Sequence, residues 1–282
     1  MSKEESEYRL PESLKDTILE KIVCARMREL AGAKSRLPAA SLEDAMDRAP
    51  EVRPFKKALM SHTPAVIAEV KKASPSAGLL REDFDPVKIA AEYKRSGAAA
   101  LSVLTEVHYF RGGLEVLARL RWNVRIPLLR KDFIVDTYQV LEARHAGADA
   151  VLLIAALLDP ALLEALRKEA ERLGMEALVE VHNEAELHWA LDAGATLVGV
   201  NSRDLRTFEV SLDVPSRLAR LMPKNVLPVA ESGIRTGEDL RKLAAAGYKA
   251  FLVGEQFMRA PSPGAALSEM IKDSRFQIPD SR

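Results

Sequence analysis

Lysines, carboxylates and an amide recur in this chain at one kind of place, the end of a short apolar run. Glu69 and Lys71 close the run AVIAEVK (65–71), and Lys131 stands near the end of PLLRKDF (127–133). Glu180 lies in EALVEVH (176–182), Asn201 and Arg203 at and just beyond LVGVNS (197–202), and Glu231 in LPVAES (227–232). Residues two apart on an extended strand share a face, so Glu69 and Lys71 point the same way. One such charge is ordinarily solvated. Two lysines and three carboxylates converging from several strands would suit proton transfer, because opposite charges and desolvation tune acids and bases toward neutrality.

A second chemical signal is a pair of glycine turns. The seventh apolar run leads into Ser232 and Gly233, and the eighth, AFLVGE (250–255), reaches Gly254 before a helical stretch. Backbone N–H groups at such turns can approach a phosphate. Phe110 and Phe133 follow the second and third runs, where they either wall an aromatic pocket or pack at a rim. The five histidines (62, 108, 145, 182, 188) show no metal-ligand spacing and read as core or surface residues. Trp122 and Trp189 fall on helical segments and read as packing residues.

The elements that position these residues alternate from about residue 64. Eight apolar runs, the others being 100–106 and 150–156, are separated by segments with helical periodicity such as 159–174. Gly97, Gly147, Gly194 and Gly247 each precede a run, as expected where a helix must turn into the next strand. The pattern predicts one α/β domain over 64–282, a parallel (β/α)8 TIM barrel. An open doubly wound sheet is the alternative, but no GxGxxG loop marks its switch point. Residues 1–63 read as an N-terminal helical extension, with helices over 14–30 and over 41–49, the latter capped by Ser41. The extension either packs on the barrel or covers its mouth.

Composition excludes several classes. Lysine plus arginine and aspartate plus glutamate both number 41, which argues against nucleic-acid and membrane-surface partners. Cys24 is the one cysteine, so neither an intrachain disulfide nor a cysteine metal cage is expected. The polar start MSKEESEYRL is unlike a signal peptide, and the expected location is cytoplasmic.

The runs IAEVKKASPSAG (67–78), SVLTE (102–106), RKDFIVDTYQ (130–139), LVEVHNEAEL (178–187), VGVNSRDL (198–205), VAESGI (229–234) and LVGEQFM (252–258) resemble the indole-3-glycerol phosphate synthase family, in family order across the barrel. That resemblance implies a carbon–carbon lyase of tryptophan biosynthesis without cofactor or metal. It would close the indole ring of 1-(2-carboxyphenylamino)-1-deoxyribulose 5-phosphate, losing carbon dioxide and water. By resemblance, Lys131 is the general acid and Glu180 the general base, while Glu69 and Lys71 form the family's paired acid and lysine. Asn201 and Glu231 match further catalytic positions. Ser74, Arg203 and Ser232 match substrate contacts, and Gly233 and Gly254 match phosphate-loop glycines. Glu255 and Ser202 depart from the residues usual at their positions.

The expected partner is a small phosphorylated substrate, with the chain a monomer that is able to join other tryptophan-pathway enzymes. Two rival readings remain at this point. Phosphoribosylanthranilate isomerase chemistry would call for a cysteine and an aspartate near strand ends, and Cys24 lies outside the barrel region. A non-catalytic ligand-binding barrel would be marked by lost strand-end charges, and none is lost.

Overall fold

A computed structural model describes residues 8–204, 210–211 and 213–275. Eight parallel strands form a closed barrel: β1 (Ala65–Val70), β2 (Ala100–Leu104), β3 (Leu128–Lys131), β4 (Ala150–Ile154), β5 (Glu176–Val181), β6 (Leu197–Asn201), β7 (Leu227–Glu231) and β8 (Ala250–Val253). Each pairs with its sequence neighbours, and β8 returns to β1 through Ala65↔Ala250 to Ala68↔Val253, which closes the ring. All eight coincide with the apolar runs to within a few residues. Their β-branched and leucine side chains are buried on both faces, one into the barrel and one under the helices.

Asp85, Asp136, Asp159, Asn183 and Thr236 cap barrel helices by accepting backbone N–H bonds. The repeated glycines end helices. Gly147 has φ +89°, and the next residue, Ala148, donates its N–H to Ala143 O at 2.9 Å, a closure that favours glycine at the left-handed position. Gly174, outside the repeat because its neighbours differ, makes the same turn at φ +77°.

The extension departs from its sequence reading in three details. Helix α1 runs Ile18–Arg36, not 14–30, because Asp16 takes a left-handed φ of 61° and Thr17 then caps the helix, accepting from Glu20 N. Leu14 lies in a preceding 3-10 turn. At the other end, Leu37 is extended ahead of Pro38, the conformation a following proline imposes. Ser41 is not an N-cap. It sits inside helix α2 (Ala39–Asp44), which starts after Pro38 without a side-chain cap, and the remainder of 41–49 is a 3-10 turn, Met46–Arg48. Nor do the tryptophans pack. Trp122 is 78% exposed and Trp189 40%, each on the outer face of its helix.

Helix α1 buries Leu19, Ile22, Val23, Arg26 and Leu30, a stripe at helical spacing that faces the barrel. No helix among the described residues is long and apolar enough to cross a membrane.

Candidate active site

The C-terminal ends of the strands open into a cavity of about 800 Å³. Every site residue named from the sequence lines it: Glu69, Lys71, Ser74, Phe110, Lys131, Phe133, Glu180, Asn201, Arg203, Glu231, Ser232, Gly233 and Gly254. Strand geometry explains the convergence, since parallel strands all carry their C-termini to one rim and alternate residues face inward.

At the floor, Lys131 Nζ lies 3.3 Å from Glu180 Oε2 and 3.8 Å from Glu231 Oε2. Asn201 Nδ2 donates to Glu180 Oε1 at 3.1 Å, and Asn201 pairs in register with Glu231. Gly199, between these strands, leaves room for Glu231, whose carboxylate would collide with any Cβ there. Burial works to lower the Lys131 pKa, but Glu180, Glu231 and Glu69 outweigh it and hold the amine above its ordinary range. Burial also opposes ionisation of both carboxylates. For Glu180, Lys131, His182 and Asn201 win, and its pKa falls below the carboxylate range. For Glu231, burial and the neighbouring Glu180 charge win over Lys131, and its pKa is pushed up to about 8. One lysine between two buried carboxylates therefore leaves one ionised and one protonated near neutrality. Glu231 Oε1 is buried without a hydrogen-bond partner among the described residues.

On β1, Lys71 Nζ meets Glu69 Oε2 at 2.6 Å, as their two-residue spacing requires. Ser74 belongs to a small hairpin, Ala73–Ser74 against Gly78–Leu79, and its Oγ accepts from Ala77 N at 3.2 Å. Phe110 is held by Glu106, whose buried carboxylate accepts the N–H groups of His108, Tyr109 and Phe110. Its ring lies 6.0 Å from that of Phe133 at 40°, so both phenylalanines wall the cavity.

The opposite side carries the turns. Ser232 and Gly233 have consecutive positive φ values of 64° and 75°, and Gly254 precedes a short helix, Glu255–Arg259. A Cβ on Gly254 would collide with Glu69. Arg203, Arg235 and Arg259 line the cavity beside these turns, with Glu255 paired to Arg203 at 3.7 Å and to Arg259 at 3.0 Å.

Sequence reasoning missed several participants. Ile18, Leu19 and Ile22 of α1 contribute to the cavity wall, so the extension both packs on the barrel and borders its mouth. His182 is neither plain core nor surface: it bridges Glu180 and Glu186. Its signal was available, since His182 follows Glu180 by the same two-residue spacing that relates Lys71 to Glu69. Arg235 and Arg259 follow the last two strands in loop and helix, where no apolar run flagged them. Among the described residues, no group of three or more His, Cys, Asp or Glu could hold a metal ion.

Two glycine turns, a lysine between two carboxylates and an aromatic wall at the C-terminal rim of a closed barrel have the layout of a β/α-barrel enzyme. The sequence matches the family model described as indole-3-glycerol phosphate synthase over residues 19–270. It is 50% identical over 257 residues to the indole-3-glycerol phosphate synthase of Albidiferax ferrireducens, covering 90% of this chain and 97% of that one. It is also 50% identical over 258 residues to that of Koribacter versatilis, covering 90% and 98%. The chain belongs to the indole-3-glycerol phosphate synthase family, whose activity is that of a carboxy-lyase of tryptophan biosynthesis. Among solved structures, KGPDC from Streptococcus mutans superposes with a TM-score of 0.58 at 15% identity, over 74% of this chain and 96% of that one, a likeness of fold alone.

Proposed function

We propose that the cavity takes 1-(2-carboxyphenylamino)-1-deoxyribulose 5-phosphate and closes its pyrrole ring, with Lys131 as general acid and Glu180 as general base. The observation that carries this reading is Lys131 Nζ held between Glu180 and Glu231 at the cavity floor. The ring carbon bearing the carboxylate attacks the ketone carbon, and the ketone oxygen takes a proton as the carbon–carbon bond forms. An alkoxide is a stronger base than an amine, so even a lysine whose pKa is raised can supply that proton. Loss of carbon dioxide restores the aromatic ring. Departure of the remaining hydroxyl as water then needs a proton donor and a base that takes the neighbouring carbon's proton, roles suited to protonated Glu231 and ionised Glu180.

Lys71, beside Glu69, is placed to pair with the anthranilate carboxylate before it leaves. Phe110 and Phe133 flank the aromatic ring. The phosphate docks on the backbone N–H groups of Gly233 and Gly254, within reach of Arg203, Arg235 and Arg259. Asn201 fixes the Glu180 carboxylate, while Ser74 and Ser232 offer hydroxyls to the substrate. Residues 1–63 serve as a helical extension to a barrel over 64–282. A cytoplasmic monomer, able to associate with other enzymes of its pathway, completes the proposal, and the lone cysteine supports a reducing compartment.

The test is a turnover assay of the purified protein with this substrate, following the appearance of indole fluorescence. Signal from the wild type that is lost in both Lys131→Met and Glu180→Gln supports the assignment. Full turnover in either variant overturns the role given to that residue.

A further inference from the structure

Glu180 and Glu231 compete for one lysine, yet they are not equivalent. Asn201 donates to Glu180, and a second cationic group reaches Glu180 from the side away from Lys131. That group is His182, whose Nε2 lies 3.3 Å from Glu180 Oε1 and whose Nδ1 lies 3.0 Å from Glu186 Oε2. Its side chain is only 12% exposed, and it is not part of the cavity wall. It therefore meets Glu180 from behind, where substrate does not reach.

Glu186 is itself rigidly held. It is the third residue of the helix Glu184–Asp192, whose cap Asn183 accepts the Glu186 N–H at 3.0 Å and donates its own amide to Glu186 Oε1 at 2.6 Å. Glu186 Oε2 also accepts the backbone N–H of His182 at 2.7 Å. The buried carboxylate thus fixes a hydrogen on His182 Nδ1 and with it the plane of the ring. His182 Nε2 lies within ion-pair distance of Glu180 but makes no hydrogen bond among the described residues, so it is the charge of the ring that acts on the Glu180 carboxylate. The arrangement fits an imidazolium between two carboxylates.

We propose that His182, oriented by Glu186, is a positioning residue that fixes the Glu180 carboxylate and keeps the negative charge of the Glu180–Glu231 pair on Glu180. The pair shares Lys131, so it is the contacts reaching Glu180 alone that separate the base from its protonated neighbour. Burial acts to lower the His182 pKa, but Glu180 and Glu186 outweigh it and push it up to about 10, so the ring stays charged through the neutral range. The other charged groups around the pair are Lys131 from β3 and Glu69 from β1.

The inference rests on the reading of Glu180 as the base, and two measurements keep the two claims apart. The first is activity against pH for His182→Gln and Glu186→Gln. Each should move the acid limb of kcat upward by about one pH unit, which lowers kcat about ten-fold on the acid side of that limb, with the neutral plateau and KM changed less than about two-fold. A uniform loss at every pH, or an unmoved limb, overturns the role. The second is nuclear magnetic resonance of the wild type carrying ¹⁵N-labelled histidine, which needs no turnover and no variant. Both His182 ring nitrogens should remain protonated to about pH 8. A neutral ring at pH 7 overturns the proposal whatever the kinetics, and even if His182→Gln fails to fold. Full turnover in Glu180→Gln would instead sink the base assignment and leave the histidine spectrum as it was.

Discussion

Arg26 Nη2 on the extension helix lies 3.0 Å from Asp132 Oδ2, so the segment ahead of the barrel is tied to the residue next to Lys131. Asp132 is wholly buried and also holds Arg130 at 3.0 Å, Thr105 Oγ1 at 2.5 Å and the N–H of Phe133 at 2.8 Å. Burial opposes its ionisation, but the two arginines and these donors bring its pKa below the ordinary aspartate value. Its carboxylate joins α1, β2 and β3 and sets the chain path that aims Lys131 and Phe133 at the cavity.

Arg26→Ala should therefore act on both stability and turnover. Arg26 also pairs with Glu29 and leaves its own Nε without a hydrogen-bond partner among the described residues, while Asp132 keeps Arg130, so the net cost of losing the charged contacts of Arg26 is about 1–3 kcal/mol. For a chain of this size that is a fall in Tm of roughly 2–5 °C, readable by calorimetry. Turnover should drop as well, because the strand end that carries Lys131 loses a tether. An unchanged Tm would mean that Arg26 is expendable and that α1 is held by its apolar stripe alone.

Lys131→Met keeps an unbranched side chain of similar length but removes the proton donor between Glu180 and Glu231. Acid–base catalysis by one placed group is worth about 10²–10⁴-fold, and that loss should appear in kcat more than in KM. Phosphate affinity should persist, since the glycine turns lie on other strands. It is checked by protection of the variant against thermal unfolding by inorganic phosphate.

Strand count and order were legible because a parallel strand buried on both faces leaves a continuous apolar run, and glycine turns end the helices ahead of β2, β4, β5, β6 and β8. The rim charges were legible for the same reason, as breaks in those runs. Interactions that depend on a second element were not. Glu186 looks like an ordinary charge at the start of a helix until its carboxylate is seen under His182, and Arg26 looks like a solvent-facing helix residue until Asp132 is seen beneath it. The tryptophans failed for the opposite reason. Trp122 and Trp189 read as packing residues because they fall on helical segments, but a place on a helix is not a place in its buried stripe, and both lie outside.

Gly254→Ala tests the close approach of β8 to β1. The added methyl meets the Glu69 side chain as far back as its Cβ, at 2.9 Å, so the strand cannot absorb it by rotating a flexible tip. Glu69 must shift, and the 2.6 Å pair with Lys71 shifts with it. The expected result is a loss of kcat/KM of at least about ten-fold with the fold retained, since a misplacement of about 1 Å is enough to cost that much. Wild-type kinetics would show that Glu69 and the turn are not coupled.

Glu231→Gln separates a protonated carboxyl from an ionised one. In the fold the Glu231 pKa is raised from 4.5 to about 8 by burial and by the Glu180 charge, with Lys131 opposing. The unfolded chain releases that proton near 4.5, so between about pH 4.5 and 8 the native state binds more protons than the unfolded state. Stability from this group is then complete below about 4.5 and lost as pH rises through about 8. Glutamine is the uncharged isostere of the protonated acid and has no such slope. The difference in Tm, variant minus wild type, should therefore be several degrees more positive at about pH 8.5 than at about pH 5, the equivalent of roughly 1–3 kcal/mol. Turnover adds an independent reading: if Glu231 gives its proton to the departing hydroxyl, wild-type kcat should fall above about pH 8, and the variant should be slow with that basic limb gone. A Tm difference that stays flat from about pH 5 to 8.5 would mean that Glu231 is ionised throughout and serves only to hold the Lys131 ammonium.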